Sequence, residues 1–275
     1  NSLSKRTLAH QITVHKNLVH IRFSLIYLDS GEDNFTNTWS QLRITDNYSG
    51  ILDTPNFGYN DTGILQVRNQ RLQLVNAQFS KNYITNYPAD SRLNRGLFTL
   101  ENVELSLVNS LVYRNEGPDL IHSTSSSTRL LNTSLIHNFM RHPSNADSGN
   151  NISAYNSIVL YNSAATPTPV ISTITAKNSL IQGVAPSAEN GLLDGTQQID
   201  LSLFFTNADR DDYTLRNDNA TNGRTLAINP LINAGDATLY DPALLGIYDL
   251  AGNDRIRDGQ IDLGPYELQR GDNPL

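Results

Sequence analysis

A short pattern returns five times along the chain: alternating apolar residues, then asparagine, a small residue and an apolar residue. It reads Leu72-Gln-Leu-Val-Asn76-Ala-Gln-Phe79, Leu105-Ser-Leu-Val-Asn109-Ser-Leu-Val112, Thr128-Arg-Leu-Leu-Asn132-Thr-Ser-Leu135, Ile152-Ser-Ala-Tyr-Asn156-Ser-Ile-Val159 and Ile174-Thr-Ala-Lys-Asn178-Ser-Leu-Ile181. Successive asparagines lie 33, 23, 24 and 22 residues apart. Each copy alternates like a strand, shows no helical phase and is too short to bury its own apolar side chains, so the copies must stack. Within a copy, Leu72, Leu74 and Phe79 point one way and Gln73, Gln78 and Lys81 the other. Coiling the chain so that equivalent strands pair in parallel predicts an all-β solenoid, a parallel β-helix of 22–24 residues per turn. A leucine-rich repeat has a similar period, but it needs a helical or compact convex segment and a denser leucine pattern, and neither is present.

Composition fits a fold made of many turns. The 275 residues include 32 Asn, a residue whose side chain competes with the backbone for hydrogen bonds. A buried turn must have its polar backbone satisfied, and a stacked asparagine does this by bonding local backbone and the next amide along the axis. The expected structural ladder is Asn76, Asn109, Asn132, Asn156 and Asn178, with Ala77, Ser110, Thr133, Ser157 and Ser179 giving each corner room to bend. Four of the five copies carry a second asparagine six residues on, at Asn82, Asn115, Asn138 and Asn162, so two columns run in parallel. Leu42-Arg-Ile44-Thr-Asp46 and Ile21-Arg-Phe23-Ser-Leu25 fit the frame loosely, with Asp or Leu in place of the first Asn.

A net charge of −7 disfavours polyanions, so nucleic acid is not an expected partner. Zero cysteines exclude disulfides, zinc–thiolate sites and thiol nucleophiles together. No run of eighteen apolar residues spans a membrane, and Asn1–Lys16 lacks the order of an export signal. The six Asn-x-Ser/Thr sequons follow from the Asn content and carry no weight.

After Gly183 the rhythm lapses. Ile199-Asp-Leu-Ser-Leu-Phe-Phe205, Asp211-Asp-Tyr-Thr-Leu215, Asn229-Pro-Leu-Ile-Asn-Ala-Gly-Asp236, Asp249-Leu-Ala-Gly-Asn-Asp-Arg-Ile256 and Gln260-Ile-Asp-Leu-Gly-Pro-Tyr-Glu267 follow in order. With Asn156-Ser-Ile-Val and Asn178-Ser-Leu-Ile-Gln-Gly183, these blocks resemble the end of the right-handed parallel β-helix proteins called choice-of-anchor Q proteins, common in Bacteroidota. Leu201-Ser-Leu stands where Asp-Pro-Leu is expected, and Gly264-Pro-Tyr where Gly-Ala-Tyr is usual. The match covers residues 150–267, and residues 1–70 match only as generic rungs. The organisation expected is rungs over 1–183, with a degenerate or truncated amino-terminal part, and a β-helix end with a capping region over 184–275. The resemblance implies an exported bacterial protein held at the cell surface by a segment after the Tyr-Glu block. Only Leu268–Leu275 follow that block here, as expected after trimming or removal during type IX secretion. It implies no shared catalytic residues.

Candidate chemistry is sparse. Aligning the copies on the first Asn stacks Lys81, Arg114, His137 and Tyr161 in one outward column. Such a stripe offers groups that neutralise a uronate and move its α-proton, but no paired carboxylates accompany it for calcium-assisted β-elimination, so it reads first as a solvated edge. Asp209, Asp211 and Asp212 offer oxygens to Ca²⁺, the one cofactor considered, against neutralisation by Arg210. Asp249, Asn253, Asp254, Asp258 and Asp262 are read as a capping turn network or a second calcium site. Glu101, Glu104, Glu116 and Asp119 are the one acidic group of the repeat region dense enough to consider for glycoside hydrolysis, and their spread over a rung start, a rung and a loop argues against convergence. The six histidines show no metal-ligand spacing. Trp39, Tyr48, Tyr59, Tyr83 and Tyr87 are placed in or near loops, where aromatics stack on sugars or anchor partners. The leading expectation is a non-catalytic surface element binding glycans or partner proteins. The alternatives are a polysaccharide lyase using the Lys81 stripe and an accessory subunit of an outer-membrane complex docking through Glu32–Trp39 and Tyr83–Arg95.

Overall fold

The computed structural model describes residues 8–10, 12–15, 18–20, 26–29, 36–50, 63–84, 96–146, 151–162, 174–216 and 229–268. Among the described residues from 8 to 181 the strands pair in parallel and form three faces of a coil, a right-handed parallel β-helix. The first face stacks Leu8–His10, Thr36–Ser40, 71–75, 104–108, Ser127–Leu131, Asn151–Tyr155 and Ile174–Lys177. The second stacks Thr13–His15, Arg43–Thr45, Gln78–Ser80, Leu111–Tyr113, Ser134–Ile136, Ile158–Leu160 and Leu180–Ile181. The third carries Tyr48–Gly50, Tyr83–Ile84, Glu116–Thr124 and Phe139–Ala146, continued by Ile26–Asp29, 65–68 and 96–101.

The chain turns each corner with one residue in the left-handed region. Gln41, Asn76, Asn109, Asn132, Asn156 and Asn178 do so at the first corner, and Asp46, Lys81, Arg114, His137 and Tyr161 at the second. At the third corner it is Asn69, Asn102 and Ser125. Asparagine tolerates this conformation better than other side chains carrying a Cβ, which accounts for the two asparagine-rich corners.

The amide-to-amide ladder belongs to the second asparagine column, not the first. Asn47 Nδ2 donates to Asn82 Oδ1 at 2.9 Å, Asn82 to Asn115 at 2.8 Å, Asn115 to Asn138 at 2.8 Å and Asn138 to Asn162 at 2.6 Å. These side chains sit one place beyond the left-handed residue, where the backbone aims them inward, and all five are buried. Asn76, Asn109, Asn132, Asn156 and Asn178 follow in register but point outward, and their backbone N–H groups bond the next rung. The small residues after them form a hydroxyl file: Ala77 N–H donates to Ser110 Oγ, Thr133 N–H to Ser157 Oγ and Ser157 N–H to Ser179 Oγ.

The Leu42–Asp46 copy sits one corner away from its expected place. Arg43, Ile44 and Thr45 pair with Gln78, Phe79 and Ser80, which makes Gln41 the first-corner residue and Asp46 the equivalent of Lys81. Ile21–Leu25 lies outside the described residues.

The lumen is filled by a continuous core running from Leu42 and Ile44 through Phe79, Phe98 and Leu105 to Val159 and Ile181. The second face is apolar outside as well, through Leu111, Tyr113, Ile136, Ile158, Leu160 and Leu180. The carboxy-terminal third buries that outer surface, so most of it lies along the side of the coil rather than on its end. Residues 183–195 complete the last turn, with Leu193 bridging Leu180 and Asn178 N–H donating to the Asn190 carbonyl. Beyond them Ile199, Leu201, Phe205, Tyr213, Leu231 and Leu263 pack on the second face as a strap.

Candidate functional site

The strap decides which surfaces remain open. At the second corner Lys81, Arg114, His137 and Tyr161 stack as expected, but a hairpin of Phe205–Asn207 and Asp212–Leu215 lies across them. Lys81 Nζ is 2.7 Å from Asp211 Oδ2, Arg114 pairs with Oδ1 of the same carboxylate, and Arg114 donates to the Asp209 carbonyl at 2.9 Å. Asp211 raises the pKa of Lys81 through that hydrogen bond, outweighing desolvation. His137 Nδ1 lies 3.3 Å from the Tyr213 hydroxyl; burial, then Arg114, pushes its pKa below the usual histidine value. Burial pushes the Tyr213 phenol up to about 12. The Tyr161 hydroxyl is engaged by the Ile199 backbone, accepting from its N–H at 2.9 Å. The column is therefore a partly covered seam between coil and strap, with Lys81 exposed at its edge, not an open basic stripe. A cleft of about 630 Å³ beside it is walled by His137, Tyr161, Asp200, Asn207 and Asp209.

The aspartates expected to meet calcium are divided. Asp211 serves Lys81 and Arg114 rather than Arg210, and Asp212 accepts from the Thr214 N–H at 3.1 Å. The later oxygen-rich stretch supplies turn caps: Asp249 accepts from Ala251, Asn253 and Glu267 N–H groups, and Asp262 from Asn233 and Leu268. Arg255 is fully buried among them, donating to the Asp262 carbonyl at 2.7 Å with Glu267 3.7 Å away. Burial, reinforced by Asp262, pushes the Glu267 carboxyl up to about 8. Among the described residues no three His, Cys, Asp or Glu side chains are grouped to hold a metal ion.

At the first corner the strap clamps the outward asparagines. Asn109 donates to the Tyr240 hydroxyl at 2.7 Å, and Asn156 and Asp236 exchange two bonds, at 3.0 and 2.8 Å.

The described part of the strap leaves the outer side of the third face uncovered, as it does much of the first, where Arg71, Glu104, Arg129 and Thr175 are exposed. On the third face Tyr48, Tyr83, Glu116 and Phe139 fall in one pairing column. Their inward neighbours Ser49, Ile84, Gly117 and Met140 are buried. The rings of Tyr48 and Tyr83 stack at 5.3 Å and 21°, and Phe139 is 54% exposed. These aromatics and Trp39 belong to strands, not loops, and Trp39 packs partly buried against the lumen core. Tyr59 and Tyr87 lie outside the described residues, as do 32–35 and 85–95 of the two expected docking loops.

Further along the same face, Gln66, Thr99 and His122 form a second outward column, and Arg68, Glu101 and Thr124 a third. Arg68 pairs with Glu101 at 2.8 Å, and the neighbouring Arg71 with Glu104 at 2.9 Å, so the acidic group considered for hydrolysis is split among cations. Its fourth member, Asp119, bonds His122 Nδ1 at 2.8 Å. That pair was not legible as a site, because residues three apart on a flat strand face opposite sides. Pro118 just before it, inside a strand, was the available signal of irregularity.

No protein-family model matches the chain, and neither does any curated protein. Among solved structures it is similar to pectate lyase Pel9A, with 14% identity and a TM-score of 0.38 over 94% of this chain and 70% of that one. A likeness that slight transfers no residue's role.

Proposed function

We propose that this protein is a carbohydrate-binding β-helix that lays a neutral polysaccharide across its third face. The observation that supports it is the aromatic column, in which Tyr83 and Phe139 are exposed and Tyr48 half-buried. Tyr48 and Tyr83 stack on adjacent rungs with Phe139 in the same file, and a rigid strand backbone holds them without the ordering cost of a loop. Glu116 between Tyr83 and Phe139 supplies an acceptor for ring hydroxyls. A net charge of −7 and the commitment of Lys81 and Arg114 to Asp211 favour neutral over acidic chains. The same facts weigh against a uronate lyase on the second corner, whose cleft adds the carboxylates of Asp200 and Asp209. Export to a bacterial cell surface, as the likeness to choice-of-anchor Q proteins implies, belongs to this reading.

Affinity electrophoresis in gels containing neutral or uronate polysaccharides tests it. At least one neutral polymer should retard the protein, and Tyr83→Ala with Phe139→Ser should abolish the retardation without loss of folded structure. Retardation by uronate polymers alone, or indifference to the double substitution, overturns the reading.

A further inference from the structure

The depression lined by Gln66, Arg68, Thr99, Glu101, His122 and Thr124 has a volume of about 190 Å³. His122 is 8% exposed, and its Nδ1 is held by Asp119. With Nδ1–H donating to that carboxylate, Nε2 is the ring nitrogen left to accept a hydrogen bond. Nε2 is buried and has no hydrogen-bond partner. Native proteins rarely leave such an atom unmet, so an orphaned acceptor in a side chain lining a cavity points to a donor arriving from outside.

The remaining walls describe that donor. They alternate amide, hydroxyl, carboxylate and guanidinium groups, which suits a ligand bearing several hydroxyls at fixed angles. Tyr27, 51% exposed with the Arg68 guanidinium 5.9 Å from its ring centre, stands on the rung beside Gln66 as a stacking surface. Asp29, Glu101 and Asp119 outnumber Arg68, so an anionic ligand is repelled. The volume is below the ~300–1,000 Å³ of drug-sized sites, which leaves room for one ring.

We propose that this depression is a subsite for a single neutral sugar ring, one hydroxyl of which donates to His122 Nε2. The proposal rests on the polysaccharide reading of the third face and names the unit that anchors the chain there.

Long-range ¹⁵N NMR of the imidazole in the full chain tests it, with methyl glucoside, methyl galactoside and methyl mannoside as probes at millimolar concentration. At least one should move the His122 Nε2 resonance saturably. Gln66→Leu should weaken that binding about tenfold, the worth of one hydrogen bond, and Leu244→Ser on the exposed side of the strap should leave it unchanged. The proposal is overturned if no neutral glycoside moves the resonance, or if methyl galacturonide moves it more strongly than methyl galactoside. Silent glycosides with retained retardation by a neutral polysaccharide remove only the subsite. Silence in both assays removes the reading of the whole face.

Discussion

Replacing Asn115 with alanine should cost far more than replacing Asn76, although the repeat pattern marks Asn76 first. Asn115 is fully buried. Its amide donates to the Phe79 carbonyl at 3.0 Å, to Tyr113 at 3.1 Å and to Asn138 at 2.8 Å, and it accepts from the Asn82 backbone N–H at 3.1 Å. Alanine strands that N–H in the interior, at ~1–3 kcal/mol, and strips partners from groups that keep others. Asn82 Nδ2 retains the Ile44 carbonyl at 2.9 Å, and the Tyr113 carbonyl retains the Lys81 N–H at 3.2 Å. A total of about 3 kcal/mol follows from one full orphan and two or three weakened bonds. Asn76 is half-buried with φ +53°, and its Oδ1 bonds nothing, so alanine there loses only the left-handed preference, ~1 kcal/mol. Urea unfolding followed by circular dichroism should rank Asn115→Ala below Asn76→Ala by about 2 kcal/mol. Hydrogen exchange should show the Asn82 amide losing protection only in the first variant. Equal costs, or the reverse order, would refute the assignment of the ladder to the second column.

Asp211→Asn should release Lys81 and Arg114, opening residues 205–215 to limited proteolysis at low salt while the coil stays protected. Gly264, at φ +81°, would place a Cβ 2.7 Å from Ser134 Oγ, so Gly264→Ala should loosen the strap by about 2 kcal/mol and expose 229–268 to exchange. Glu267 ionises near 4.5 when unfolded and near 8 when folded, so the folded chain holds the extra proton between those values. Stability should therefore fall as pH rises from about 5 to about 8. Glu267→Gln should flatten that part of the Tm profile, and an unchanged slope would show that another group sets it.

The coil was legible because its lumen imposes a period: Leu74, Leu107, Leu130 and Ala154 must fall in register, and the intervals between asparagines reveal it. The same rule explains the misplaced Leu42–Asp46 copy. All three corners share one grammar, alternating apolar residues before a left-handed residue, so Leu42-Arg-Ile44-Thr-Asp46 fits the first corner as well as the second. The third corner repeats at the same intervals of 33 and 23 residues, through Asn69, Asn102 and Ser125, and was missed because no second asparagine marks it. The cover over the Lys81 column was out of reach. Arg114 meets Asp209 across 95 residues of chain, and nothing in local sequence states which outer face an irregular segment will choose. The aromatic column is half visible in the sequence: Tyr48 and Tyr83 read there as sugar-stacking residues, but Phe139 joins them only once the rungs are in register.

Hydrogen exchange of the full chain, with and without a retarding neutral polysaccharide, locates the surface on which the polymer lies. New protection should fall on the third face, across 83–84, 116–124 and 139–146. Protection concentrated instead on the second corner, around Arg114 and residues 205–213, would contradict the account.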